Sequence, residues 1–355
     1  MSARVASRAA TLALATLVAL PTLVAARQAP PSPPPDWTVP RLADGTPDFQ
    51  GNWSNATMTP IVRAEGQPLI LSPAQIATME GRRQDLIEAE AQPSDPDREA
   101  PPVGGDGSTG AAGGVGGYNY FFIDAGDRVA WYNGEPRSSL ITVPGDGRRP
   151  PFTEEGQRRL VERRAISRQF GQYDNPENRP LAERCILSFG SNGGPPMLPN
   201  YFYNNNYTIV QTPDAVMIMT EMVHDVRIIR MGEPQPLPGH MRPWLGDSWG
   251  RWEGDTLVVE TTNIHPDQPM FALSAAQFVP SASIRVIERF TRPSDHQLNY
   301  EFTVEDPVML TAPVSGEMPF NRLDGMLYEY ACHEANYALE NVLSGARAQE
   351  RNEGR

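Results

Sequence analysis

Within Glu221-Met222-Val223-His224-Asp225-Val226-Arg227, a carboxylate, an imidazole, a second carboxylate and a guanidinium fall in one short stretch. That mixture can supply a proton shuttle active near neutral pH (His224), a carboxylate that orients it (Asp225) and an arginine that stabilises developing negative charge (Arg227). Strict strand alternation puts Glu221, Asp225 and Arg227 on one face and His224 on the other. A bend near His224 would turn all four towards one rim. The competing reading is a solvated strand edge on which Asp225 pairs with Arg227.

A second group is Glu329-Tyr330-Ala331-Cys332-His333-Glu334. His333 and Glu334 can act as a second acid–base pair. On a helix, Glu329 and His333 would share a face, and with His224 they would make an open two-histidine, one-carboxylate site for a divalent metal. No HExxH spacing supports it, and ordinary hydrogen-bonded histidines are the alternative. The only two cysteines, Cys185 and Cys332, are expected to form a disulfide that pins this segment; the alternative is two buried thiols. For substrate contacts, the run Tyr201 to Tyr207 offers Asn204, Asn205, Asn206 and Tyr207, a mixture suited to polyols or to a well-ordered turn. Glu221 and Trp249 join that set, and Trp244 and Trp252 are expected beside the same cavity or in the core.

Composition removes several chemistries. All 30 basic residues are arginine, so Schiff-base chemistry, pyridoxal phosphate and the P-loop lysine are excluded. No CxxCH motif exists for c-type haem. Gly105-Asp106-Gly107-Ser108-Thr109-Gly110 matches the NAD fingerprint in letters but has no strand before it and no helix after it. A net charge of −13 opposes a nucleic-acid footprint. Gly246-Asp247-Ser248-Trp249-Gly250 fits the nucleophile-elbow pattern, yet a strand-like hairpin follows where a helix is required, so a tight turn is the better reading.

The elements that must position these residues begin after a signal peptide at 1–26, which has Arg4 and Arg8, an apolar run and Val24-Ala25-Ala26. A secreted or periplasmic protein follows, with no integral membrane span after signal removal. A Pro-rich spacer (27–40) leads into one β-rich domain (41–355) carrying a flexible Gly/Pro-rich insertion at about 92–117. Helices are predicted after Ser72-Pro73 and Thr153-Glu154-Glu155 and over Ala335 to Ala348. From Tyr207 onwards, strand runs such as YTIVQT, AVMIMTE, DVRIIRM, TLVVETT, SIRVIERFTR and QLNYEFTV alternate with turn residues. The fold class is mainly β, an antiparallel meander forming a curved sheet or lipocalin-like barrel with a few peripheral helices.

The runs GDSWGRWEGDTLVVETTNI, GTPDFQGNWSNAT, ENRPLAERCI, YNNNYTIVQTPD, EMVHDVRIIRM and LYEYACHEANY resemble a large family of secreted bacterial hypothetical proteins. The resemblance implies a lipocalin-like barrel with an enclosed pocket and carries no catalytic residues across. Functionally, the titratable groups point to an extracytoplasmic enzyme acting on a small molecule by acid–base lyase, isomerase or hydrolase chemistry in that pocket. The alternative is a non-catalytic binder or carrier of an apolar or glycosidic ligand.

Overall fold

A computed structural model of the chain describes residues 35–91, 97, 124–188, 192–200, 202–271 and 278–354. The expected signal peptide, most of the spacer, and the 92–117 insertion apart from Asp97 lie outside these residues. Nine strands close into a ring: β1 (Gly51–Ser54), β5 (Asn206–Gln211), β6 (Ala215–Thr220), β7 (Val226–Met231), β8 (Asp247–Glu253), β9 (Thr256–Thr262), β10 (Arg285–Ser294), β11 (Gln297–Glu305), β12 (Val314–Arg322), then β1 again. β4 (Ile141–Val143) adds to β12, and β2 (Trp131–Tyr132) with β3 (Glu135–Pro136) forms a separate hairpin.

A ring with an odd number of strands cannot alternate direction all the way round, so one neighbouring pair must run parallel. That pair is β7 and β8, in register at Ile229↔Ser248, Arg230↔Trp249 and Met231↔Gly250. Every other neighbour in the ring is antiparallel, which corrects the expected meander at one seam. Parallel neighbours need a long crossover. The chain provides it in residues 232–246, rich in proline and therefore unable to pair as another strand.

Inward positions follow the two-residue period. In β11, Leu298, Tyr300, Phe302 and Val304 are all buried, and in β12 so are Val314, Met318 and Phe320. The lumen is thus filled by packed side chains such as Trp53, Tyr207, Phe290, Tyr300 and Phe320, with Phe290 and Tyr300 ring centroids 4.9 Å apart. This is a core, and it corrects the expectation of a ligand pocket inside the barrel. One end is also plugged by the fully buried segment 192–200, whose Met197 amide donates to the Tyr300 hydroxyl (2.8 Å).

Among the described residues three α-helices lie outside the ring. α1 (Pro73–Glu90) starts with the Ser72/Gln75 capping box and α2 (Glu154–Ser167) with a Thr153 cap on the Gly156 amide. α3 (Ala338–Asn352) begins and ends a few residues later than predicted. No described helix is long and apolar enough to cross a membrane.

Candidate functional site

The sequence group around His224 is split by the fold. Between β6 and β7 a tight turn, Met222–His224, interrupts the alternation, with Val223 (φ 60°) and His224 (φ 51°) both left-handed. Left-handed backbone is costly for a β-branched residue, so this turn is built against local preference. Arg227, expected at the rim, points instead into the lumen. Its guanidinium forms a two-contact pair with Glu288 and donates to Ser248 Oγ (3.1 Å) and Thr261 Oγ1 (2.8 Å). The Tyr300 hydroxyl donates to Glu288 Oε1 (2.8 Å). Burial pushes the Tyr300 phenol far above its ordinary value, reinforced by the Glu288 charge, while burial opposes the Arg227 charge and Glu288 more than offsets it. These donors are engaged inside the protein, and Ser248 of the elbow-like motif is buried among them as a strand residue.

Glu221 and Asp225 part company too. Glu221 is buried; its Oε1 accepts from the Tyr328 amide (2.7 Å) and its Oε2 from Asn206 Nδ2 (2.8 Å). It therefore clamps the C-terminal segment to β5. Asp225 faces a small cavity of about 10 Å³ between Gly193, Gly194, Leu245 and Gln268. Burial raises its carboxyl to about 7.

His224 and His333 do come together, with ring centroids 6.1 Å apart. Several ties bring His333 there. The segment after β12 is held to β1 by Leu323 N on Asn52 O (2.9 Å), to β5 and β6 through Glu221, and to Cys185 by the disulfide from Cys332 (Cα–Cα 5.8 Å). His224 Nδ1 meets the Tyr330 carbonyl at 3.1 Å. Both rings are exposed. The helix that would have put Glu329 and His333 on one face does not form, and the segment there is irregular. Glu329 lines a different shallow groove with Glu183, Ala182 and Asn336, and Glu334 is exposed. Among the described residues no group of three or more His, Cys, Asp or Glu side chains is placed to hold a metal, so the expected Glu329-containing triad is not assembled.

The carboxamide run serves the plug. Asn205 is buried, accepting from Asn200 N (3.0 Å) and donating to Asp124 O (2.7 Å); Asn204 O accepts from Asn192 Nδ2 (3.5 Å); Tyr207 packs in the lumen on Phe320, centroids 5.1 Å apart. Tyr201 lies outside the described residues. The well-ordered turn, and not a ligand cradle, is what the fold makes of these residues.

A groove of about 780 Å³ lies at the seam. β7 pairs with β8 only as far as Met231, so Arg251, Trp252 and Glu253 of β8 have β9 on one side and no strand on the other, and residues 232–236 pass over that edge. The notch is lined by Trp249, Trp252, Met231, Pro234 and Pro236, with Thr262 and with Gln211 and Thr212, whose side chains are engaged by Phe49 N, Pro47 O and the Ala215 backbone. Arg230 covers one face of the Trp249 indole at 4.4 Å and is held by Asp247, whose other oxygen accepts from Leu237 N (2.7 Å). Trp252 is braced edge-on by Phe49 at 5.3 Å. Trp244 sits apart, stacked on His265 at 3.7 Å. Asp44, Glu233, Asp247 and Glu260 line the groove beside Arg251, and because Arg230 compensates Asp247 the excess of carboxylates rests on Asp44 and Glu233. Glu260 and Arg251 are themselves paired, with Arg285 and Glu253.

Sequence reasoning found Trp249 and Trp252 but missed Met231, Glu233 and the proline roof, because only the parallel seam brings that crossover over β8. A proline-rich connection too long for a hairpin was the available signal. Comparisons with protein-family models, with curated proteins and with solved structures returned no match to this chain.

Proposed function

We propose that this is an exported β-barrel protein that binds a neutral, hydroxyl-bearing small molecule with an apolar face, of glycoside type, in the seam groove. The observation that carries the reading is the placing of two indoles, both held by neighbours, in one groove of about 780 Å³, a size typical of small-ligand sites. Flat apolar faces stack on such rings, and the Thr262 hydroxyl at the groove wall suits a ring hydroxyl. The excess of carboxylates disfavours anionic ligands. Export is supported by the disulfide, a bond that persists in oxidising compartments.

Tryptophan fluorescence titration with neutral oligosaccharides and aryl glycosides tests the proposal. Saturable binding is expected, with Trp249→Ala and Trp252→Ala each weakening it about tenfold, as loss of one stacked ring implies. No saturation by any neutral glycoside, or saturation indifferent to both substitutions, would end it. The acid–base enzyme reading is favoured by one observation only, the 6.1 Å approach of His224 and His333. That pair is open to water and lacks Arg227, so binding without turnover is the function the geometry supports better.

A further inference from the structure

The histidine pair lies at the β6–β7 turn, whereas the groove borders the opposite ends of those strands, six residues away along each. We infer that His224 and His333 form a two-imidazole site for a divalent transition ion of the zinc, nickel or copper class, assembled by the disulfide-tethered C-terminal segment. Four observations carry it.

A carbonyl only accepts, so the 3.1 Å contact to Tyr330 O fixes the proton of neutral His224 on Nδ1 and leaves the Nε2 lone pair free. Metal-ligating histidines are usually held in this way by a backbone carbonyl on the other ring nitrogen. The ring centroids stand 6.1 Å apart. Two imidazoles sharing one ion at about 2.0–2.1 Å, at a tetrahedral angle, have centroids roughly 5 Å apart. A movement of about 1 Å by exposed rings closes that difference. Both rings are solvent-exposed, so an ion can enter and water can complete its shell. Finally, His224 is presented by two successive left-handed non-glycine residues, the kind of strained backbone that persists at functional positions.

The tether makes the site conditional. His333 directly follows Cys332, and its approach to His224 depends on the bridge to Cys185 together with the Glu221 clamp. Cutting the bridge lowers the local concentration of the second imidazole around the first. By linkage, the bound ion must favour the bridged form to the same extent.

Equilibrium dialysis of the full chain against Zn²⁺, Ni²⁺ and Cu²⁺, with Cu²⁺ electron paramagnetic resonance as a second readout, tests the site. The expected result is one ion per chain, copper held most tightly, and a copper spectrum with two nitrogen ligands. His224→Ala and His333→Ala should each weaken binding at least tenfold and remove one nitrogen, with unchanged circular dichroism. His296→Ala, on the β10–β11 turn, should leave it unchanged. The Cys185→Ser/Cys332→Ser double variant should weaken binding several-fold while keeping the two-nitrogen spectrum at saturating copper. Absence of a stoichiometric ion, or binding that survives either His224→Ala or His333→Ala, would overturn the inference.

Discussion

Replacing Asp225 with asparagine should make the protein more stable above neutral pH, by a margin that narrows as pH falls from 7 towards 3.8. The side chain looks onto the small cavity beside Gly193, Leu245 and Gln268. Gln268 is already engaged on both sides, donating to Gly194 O (2.9 Å) and accepting from Leu245 N (2.7 Å). Among the described residues no donor reaches the Asp225 carboxyl, and burial raises it from 3.8 to about 7. The folded state therefore holds this proton more tightly than the unfolded chain does. Its contribution to stability is present in full below pH 3.8, is lost as pH rises towards 7, and stays lost above that. Three pH units at ~1.4 kcal/mol each set a ceiling of about 4 kcal/mol, and the half-buried position of the residue brings the expected loss nearer 2 kcal/mol. Asparagine keeps the shape without the charge. Urea unfolding of wild type and Asp225→Asn at pH 5, 6, 7 and 8 should show a gap that opens with pH in favour of the variant, other titrating groups cancelling in the difference. A gap independent of pH, or a variant less stable at pH 8, would refute the account.

Glu288→Ala should cost about 3–5 kcal/mol in urea unfolding by stranding the buried Arg227 charge, whereas the double change Arg227→Met with Glu288→Leu should recover most of it. The Cys185→Ser/Cys332→Ser variant should lose up to ~5 kcal/mol, the chain-entropy limit for so long a loop, measured as a lowered unfolding midpoint without reductant. At Gly316 an added Cβ would stand 2.4 Å from Phe302 Cζ and 2.5 Å from Leu140 O. Gly316→Ala should therefore lower the thermal midpoint, at a cost of roughly 1–3 kcal/mol, and a neutral result would show that β4 can move away from β12.

Hairpins were readable because their turns use residues that stop strands: Pro213-Asp214, Gly254-Asp255 and Asp295-His296 fall between paired strands, with Glu253, Pro293 and Ser294 at the strand ends beside them. The helix starts at Ser72 and Thr153 were readable for a similar reason, through their caps. β12 escaped notice because Gly316 and Pro319 interrupt its pattern. Proline is tolerated there since β4 partners only Ser315 and Gly316, β1 only Asn321 and Arg322, and the interval between has β11 on one side alone. The site was harder. A turn of three residues reversed the facing of Asp225 and Arg227, and a buried Glu288, which looks like a surface charge in an alternating strand, claimed the arginine. Pairing of the two lone cysteines places His333 beside Cys185, but its approach to His224 rests also on the Glu221–Tyr328 clamp, a tertiary contact with no sequence signal.

β1, only four residues long, pairs with β5 at Trp53↔Tyr207 and with β12 at Trp53↔Arg322. An early-synthesised strand thus waits for one of the last before the cylinder can shut. Contacts so remote along the polypeptide slow acquisition of the native state, since ordering the intervening loop precedes any reward. Until then β5 and β12 each present a free flank, so a newly made molecule is most vulnerable to sticking to its neighbours in the interval before Trp53 takes its place.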